Sequence, residues 1–154
     1  MDRALRMLLA EDNPGDVFLV KESLNRHSLK HNLTVASDGE RALKLIEAAE
    51  NSPSEAFDIF VLDLNLPLRP GLELLARIRK CDGPLNNALI VVVTSSYSIG
   101  DRNAASALGA DYYFCKPANL DAFLQLGSII QQLWSAKVSR EKGRKLTRKG
   151  KAAQ

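Results

Sequence analysis

Four apolar runs in this chain each stop on a chemically reactive polar residue, and that pattern constrains the fold more than any other feature. Ile59-Phe60-Val61-Leu62 stops at Asp63, Leu8-Leu9-Ala10 at Glu11-Asp12, Ile90-Val91-Val92-Val93 at Thr94, and Tyr112-Tyr113-Phe114-Cys115 at Lys116-Pro117. Short continuous apolar runs suit strands buried on both faces, as in a parallel sheet covered by helices. Open α/β sheets place ligands outside the C-terminal ends of their strands. On one such edge three carboxylates, a hydroxyl and an ammonium converge. Such a set suits a divalent cation and a phosphoryl group better than a protein core.

The segments between the runs carry helical spacing. Asn13-Pro14-Gly15-Asp16 reads as a turn into a helix with Val17, Val20 and Leu24 on one face. Leu33 to Ser37 is a second strand, ended by Asp38-Gly39 and followed by a helix from Glu40 to about Ala49 with Ala42, Leu43 and Ile46 inward. Gly71 to Lys80 turns Leu72, Leu75 and Ile78 inward, Asp101 to Leu108 is a small-residue helix ended by Gly109, and Asn119 to Trp134 is one long fifth helix burying Phe123, Ile130 and Leu133. Five βα repeats with right-handed crossovers predict an α/β, doubly wound five-stranded parallel sheet. A strand order of 2-1-3-4-5 sets strands 1 and 3 side by side, so that Glu11, Asp12 and Asp63 become neighbours.

Charge divides the chain in two. Residues 136–154 carry eight Lys or Arg against Glu141 alone, a net of +7 within a whole-chain charge of +3, so residues 1–135 carry −4. The basic extension has almost no large apolar residues and is expected to be mobile beyond about Lys142. It has no interleaved aromatics, and no DNA-binding fold follows residue 135, so a solvated extension is expected rather than a nucleic-acid site. No apolar stretch approaches the ~20 residues of a membrane span, and no secretory segment opens the chain, which predicts a cytoplasmic protein. Cys81 and Cys115 lack metal-ligand spacing and are read as reduced, partly buried thiols, and His27 and His31 as surface histidines. Trp134 fits either a partner-binding face or packing on the body.

The ordered set Glu11-Asp12, Asp63 with Pro67 and Gly71, Thr94, and Lys116-Pro117 resembles the bacterial response-regulator receiver domain, the phosphoacceptor of two-component systems, from about Ala4 to Trp134. The resemblance implies a (βα)5 flavodoxin-like receiver fold over residues 1–135. It implies an exposed nucleophile at Asp63 that takes a phosphoryl group from a sensor histidine kinase as an aspartyl phosphate. It further implies Mg²⁺, with Mn²⁺ as an alternative, on Glu11, Asp12, Asp63 and the backbone carbonyl of Asn65. The remaining roles it implies are Lys116 as phosphoryl counter-charge, Thr94 as the hydroxyl that hydrogen-bonds the phosphoryl group and switches, and Tyr113 as the switch aromatic. Pro70 departs from the usual acidic residue and stiffens the loop before Gly71, while Ser95, Ser96 and Asn65 border the mouth of the site.

No output module is expected beyond the body, so the chain resembles a single-domain regulator acting through helix 4, strand 5 and helix 5. The resemblance implies a phosphoacceptor signalling protein rather than an enzyme. Its Glu-Asp-Asn-Pro-Gly-Asp start and Asp-Leu-Asn-Leu-Pro acceptor stretch resemble small regulators associated with phytochrome-type photoreceptor kinases, which implies such a kinase as partner and a homodimer. The alternative is a phosphate-independent interaction module that keeps the fold. A haloacid-dehalogenase-type phosphatase needs a second Asp where Asn65 stands, and a flavin binder needs a phosphate cradle where Glu11 and Asp12 would repel the phosphate.

Overall fold

The structure is a computed structural model that describes residues 3–152, with the side chains of residues 3–150. Residues 153 and 154 of the basic extension lie outside the described residues. The elements are β1 (Leu5–Ala10), α1 (Pro14–Arg26), β2 (His31–Ala36), α2 (Gly39–Glu50), β3 (Ile59–Leu62), α3 (Gly71–Arg79), β4 (Leu89–Thr94), α4 (Ile99–Ala107), β5 (Tyr112–Cys115), α5 (Leu120–Phe123) and α6 (Leu126–Ala152). All strand pairs are parallel, in the order β2-β1-β3-β4-β5 that the receiver resemblance implies.

Alternation along the strands divides the core between the two faces of the sheet. Leu8, Ala10, Phe60, Leu62, Ile90 and Val92 pack on α2, α3 and α4 through Ile46, Leu74, Leu75, Ile78 and Ala105. Met7, Leu9, Val61, Val91, Val93 and Phe114 pack on α1, α5 and α6 through Val20, Leu24, Phe123, Leu126 and Ile130. β3 and β4 are buried along their whole length, which explains their unbroken apolar sequence. Leu43, Leu72 and Leu133 flank the core and are only partly buried. Trp134 also packs against the body. Both cysteines are free, Cys81 buried and Cys115 half-buried.

One expectation about the C-terminal part is corrected. The long fifth helix is broken between α5 and α6. α1 causes the break, because Ser23 Oγ (2.9 Å) and His27 Nε2 (3.1 Å) both donate to the Leu124 carbonyl, which an unbroken helix would use itself. Gly127 N donates back to Ser23 Oγ at 2.6 Å, and a Cβ on Gly127 would stand 2.3 Å from the Ser23 carbonyl. His27 is therefore a half-buried helix contact, and His31, also half-buried, bonds the Leu29 carbonyl. The basic extension continues α6 as helix to Ala152. Its Lys, Arg, Glu and Ala residues favour helix locally, Glu141 pairs with Lys137 one turn before it, and residues 139–150 are exposed throughout. The boundary drawn between residues 135 and 136 thus falls inside one helix. Among the described residues no helix is long and apolar enough to cross a membrane.

Candidate phosphoacceptor and metal site

The sheet hydrogen bonds continue one residue past the strands and deliver the site residues together. Glu11 N donates to Ala36 O (3.0 Å), Asp63 N to Ala10 O (3.0 Å) and Lys116 N to Thr94 O (2.8 Å). Each polar residue is thus held at a fixed height on the C-terminal edge by backbone alone. Gly71 keeps the acceptor in place from below, since its N–H donates to Leu64 O at 3.0 Å and any Cβ there would lie 2.1 Å from the Asp63 carbonyl. The intervening loop carries Leu68 at φ 71°, a left-handed conformation unusual for leucine. Arg69 ties this loop to Glu40 on α2 and Glu73 on α3, each at 2.6 Å.

Lys116 lies at the centre. Its Nζ donates to Asp63 Oδ2 at 2.8 Å, to Asp16 Oδ2 at 2.8 Å and to Glu11 Oε1. Burial disfavours the charged ammonium, but the hydrogen bonds to Asp16, Asp63 and Glu11 outweigh that and hold its pKa well above the ordinary lysine range. Burial pushes Glu11 up to about 8, helped by Asp63 and opposed by Lys116. Burial also presses Asp63 upward, yet its hydrogen bonds with Glu11, Lys116 and the Asn65 amide (3.1 Å) hold it below the usual aspartate range. Without a cation, burial thus works against ionising Glu11, while Lys116 and the Asn65 amide favour the ionised form of Asp63.

Glu11, Asp12 and Asp63 offer one oxygen each within 4.8 Å of one another. Unit anions that close repel by about 3.5 kcal/mol per pair at an effective dielectric of 20, so the trio favours a hard cation with oxygen ligands. Asp12 is exposed, and its backbone N–H donates to Glu11 Oε2 at 3.0 Å, which leaves its carboxylate available to such a cation. Asn65 is exposed beside the site.

Asp63 itself is not the exposed nucleophile expected from the sequence. It is only 6% exposed, because the Lys116 side chain is folded onto it. Asp16 was read as a turn residue and is in fact the third carboxylate on Lys116. Its place four residues after Asp12, in the first turn of α1, is the one signal that pointed toward the edge. Thr94 is fully buried at the end of β4, with Oγ1 accepting from Ser96 N at 3.4 Å. The half-buried Tyr113 donates its hydroxyl to Ser96 O at 3.0 Å. Thus Asp63, Glu11, Asp12 and Lys116 form one cluster, while Thr94 and Tyr113 meet at the β4–α4 loop beside it.

A profile of the response regulator receiver domain matches residues 7–126. The chain belongs to the response regulator receiver domain family. Among curated relatives of this receiver is response regulator Rcp1 of Synechocystis sp. (strain ATCC 27184 / PCC 6803 / Kazusa), 33% identical over 131 residues, which are 83% of this chain and 87% of the relative. The phosphorylated cyanobacterial phytochrome response regulator RcpA superposes with a TM-score of 0.75 at 30% identity, covering 88% of this chain and 96% of the other. The Mn²⁺-bound form of Rcp1 superposes with a TM-score of 0.73 at 33% identity, over 84% and 94% of the two chains. The receiver is thus a signalling protein of the two-component type rather than a conventional enzyme. Receiver domains bind a divalent metal, and the acidic trio here fits one.

Proposed function

We propose that this receiver is a single-domain response regulator whose Asp63 accepts a phosphoryl group from a sensor histidine kinase in a Mg²⁺-dependent reaction. The observation that carries the reading is the Lys116 ammonium bound to Asp63 beside the Glu11–Asp12–Asp63 trio. Glu11, Asp12, Asp63 and the Asn65 carbonyl are the proposed ligands. The bound cation would neutralise the carboxylates and the phosphoryl oxygens.

An oxygen of Asp63 attacks phosphorus as the P–N bond to the kinase histidine breaks, and the histidine nitrogen leaves with that electron pair and takes up a proton from solvent to restore the neutral imidazole. Lys116 leaves the carboxylates to meet the incoming phosphoryl oxygens, which uncovers Asp63. Thr94 donates its hydroxyl to a phosphoryl oxygen and draws the β4–α4 loop inward. Tyr113 follows, changing the face formed by α4, β5, α5 and the start of α6. Tyr97, Ile99, Leu108 and Tyr112 already present exposed apolar surface there. That face is the proposed homodimer contact, and sedimentation of a Tyr112→Glu variant as a monomer, where the wild type is a dimer, tests it.

The likeness to Rcp1 and RcpA supports a phytochrome-type photoreceptor kinase as the donor. The reading places the protein in the cytoplasm and treats residues 136–154 as an appendage without a part in phosphoryl chemistry or nucleic-acid binding. Intact mass after incubation with a small acyl phosphate and Mg²⁺ tests the central claim. The expected result is a gain of one phosphoryl group in the wild type and none in Asp63→Asn. No gain in the wild type with any of several donors would favour the phosphate-independent interaction module.

A further inference from the structure

The β4–α4 loop is fastened to β5 at two crossing points. Tyr113 on β5 donates its hydroxyl to the carbonyl of Ser96 on the loop (3.0 Å), and Tyr97 on the loop donates its hydroxyl to the carbonyl of Lys116 after β5 (3.3 Å). The Cys115 thiol also reaches Ser96 O at 3.5 Å. The first turn of α4 holds both ends of this fastening. Asp101 accepts from Ser96 Oγ at 2.5 Å, and the Arg102 guanidinium covers the Tyr113 ring, 4.8 Å from its centroid, with Nη2 3.5 Å from Cys115 Sγ.

We infer that Arg102 is a positioning residue for Tyr113: it holds the ring in its Ser96-bonded place and so sets how much of the resting protein is ready to receive phosphate. The inference rests on the proposed role of Asp63 and Tyr113 and concerns the regulation of that site. Arg102 is exposed and pairs with no carboxylate among the described residues, so its contacts with β5 are the contacts that place it. It touches the ring only while the ring is turned inward, because a ring swung out to solvent leaves the space beneath the guanidinium. A group that binds one of two states shifts the population toward it by its differential affinity. For an exposed cation over an aromatic ring that shift is about two- to fivefold. Linkage then bounds the consequence: if phosphate favours the inward ring, whatever else favours that ring raises the affinity of the site for phosphate by up to the same factor. Tyr97 adds a direct route, since it links the loop position to the backbone of Lys116.

The test uses the full chain labelled with 3-fluorotyrosine. Its three tyrosines give separate fluorine resonances, assigned with Tyr97→Phe, Tyr112→Phe and Tyr113→Phe. Exposure of the Tyr113 signal to a soluble paramagnetic chelate is read in the resting protein, and phosphorylation by a small acyl phosphate with Mg²⁺ is followed by intact mass. Arg102→Ala is expected to raise the paramagnetic relaxation of Tyr113 alone and to slow phosphorylation about two- to fivefold. Arg102→Lys should restore most of both, because an ammonium also lies favourably over a ring. An unchanged Tyr113 signal in Arg102→Ala overturns the inference, as does an equal loss in the Ala and Lys variants. A wild type that takes no phosphate would refute the proposed function, while the resting fluorine signal would still decide the role of Arg102.

Discussion

Removing divalent metal should make this receiver less stable as the pH rises from 5 to 8, and Glu11 is the residue responsible. Its carboxyl is raised from 4.5 to about 8, by burial first and by Asp63 after it. A group whose folded pKa is raised contributes stability fully present below its unfolded value and lost as the pH climbs through its folded value. Asp63 has the opposite sign: its depressed pKa gives a contribution present above the ordinary aspartate range and lost only in acid, outside this window. At 1.36 kcal/mol per unit, the three units between pH 5 and the Glu11 pKa correspond to about 4 kcal/mol. With a urea slope of about 2 kcal/mol/M the midpoint should fall by about 2 M. Urea titrations with a chelator at pH 5, 6, 7 and 8 measure this directly. Glu11→Gln should abolish the trend, and saturating Mg²⁺ should flatten it by stabilising the ionised carboxylates. A wild-type midpoint that stays level in chelator, or a decline that survives Glu11→Gln, would refute the reasoning.

Two further perturbations address what positions the site. Gly71→Ala puts a Cβ 2.1 Å from the Asp63 carbonyl, with backbone on both sides of the collision. It should lower stability by roughly 3 kcal/mol or more and slow acyl phosphate labelling, as urea titration and intact mass would report; a variant as stable as wild type would remove the assigned close approach. Arg79 gathers the carbonyls of Gly109, Asn86 and Ala88 and the Asp111 carboxylate between 2.7 and 3.0 Å. Arg79→Ala should cost about 2 kcal/mol, a melting temperature lower by about 4–8 °C, with labelling of Asp63 unchanged.

The strand ends were legible because each buried strand had to finish on a residue that tolerates an edge. Glu11, Asp63, Thr94 and Lys116 therefore stood out in the sequence, and the backbone bonds beyond the strands place them as expected. Asp16 was not legible, because its partner Lys116 lies 100 residues away and nothing in a first-turn aspartate distinguishes a helix-dipole contact from an ion pair. The burial of Asp63 was hidden for the same reason, since the lid is a side chain from another strand. The break before α6 depends on Ser23 and His27 reaching a carbonyl about 100 residues on, while the local sequence favours continuing the helix. The helical extension follows from local propensity, with little core for it to join.

The course of α6 has a mechanical consequence. Its first turns are locked into the core by Leu126, Gly127 and Ile130, and the same helix leaves the body without interruption. Leu133, Trp134 and Lys137 still hold it to the body, so at about 1.5 Å per residue the exposed stretch 139–150 stands out about 18 Å. A rod clamped at one end converts angle into distance, so a 5° tilt at the clamp carries the far end of that stretch about 1.6 Å. The cationic tip is therefore a pointer on the packing of α1 against α6, and it magnifies changes too small to be seen at the clamp itself.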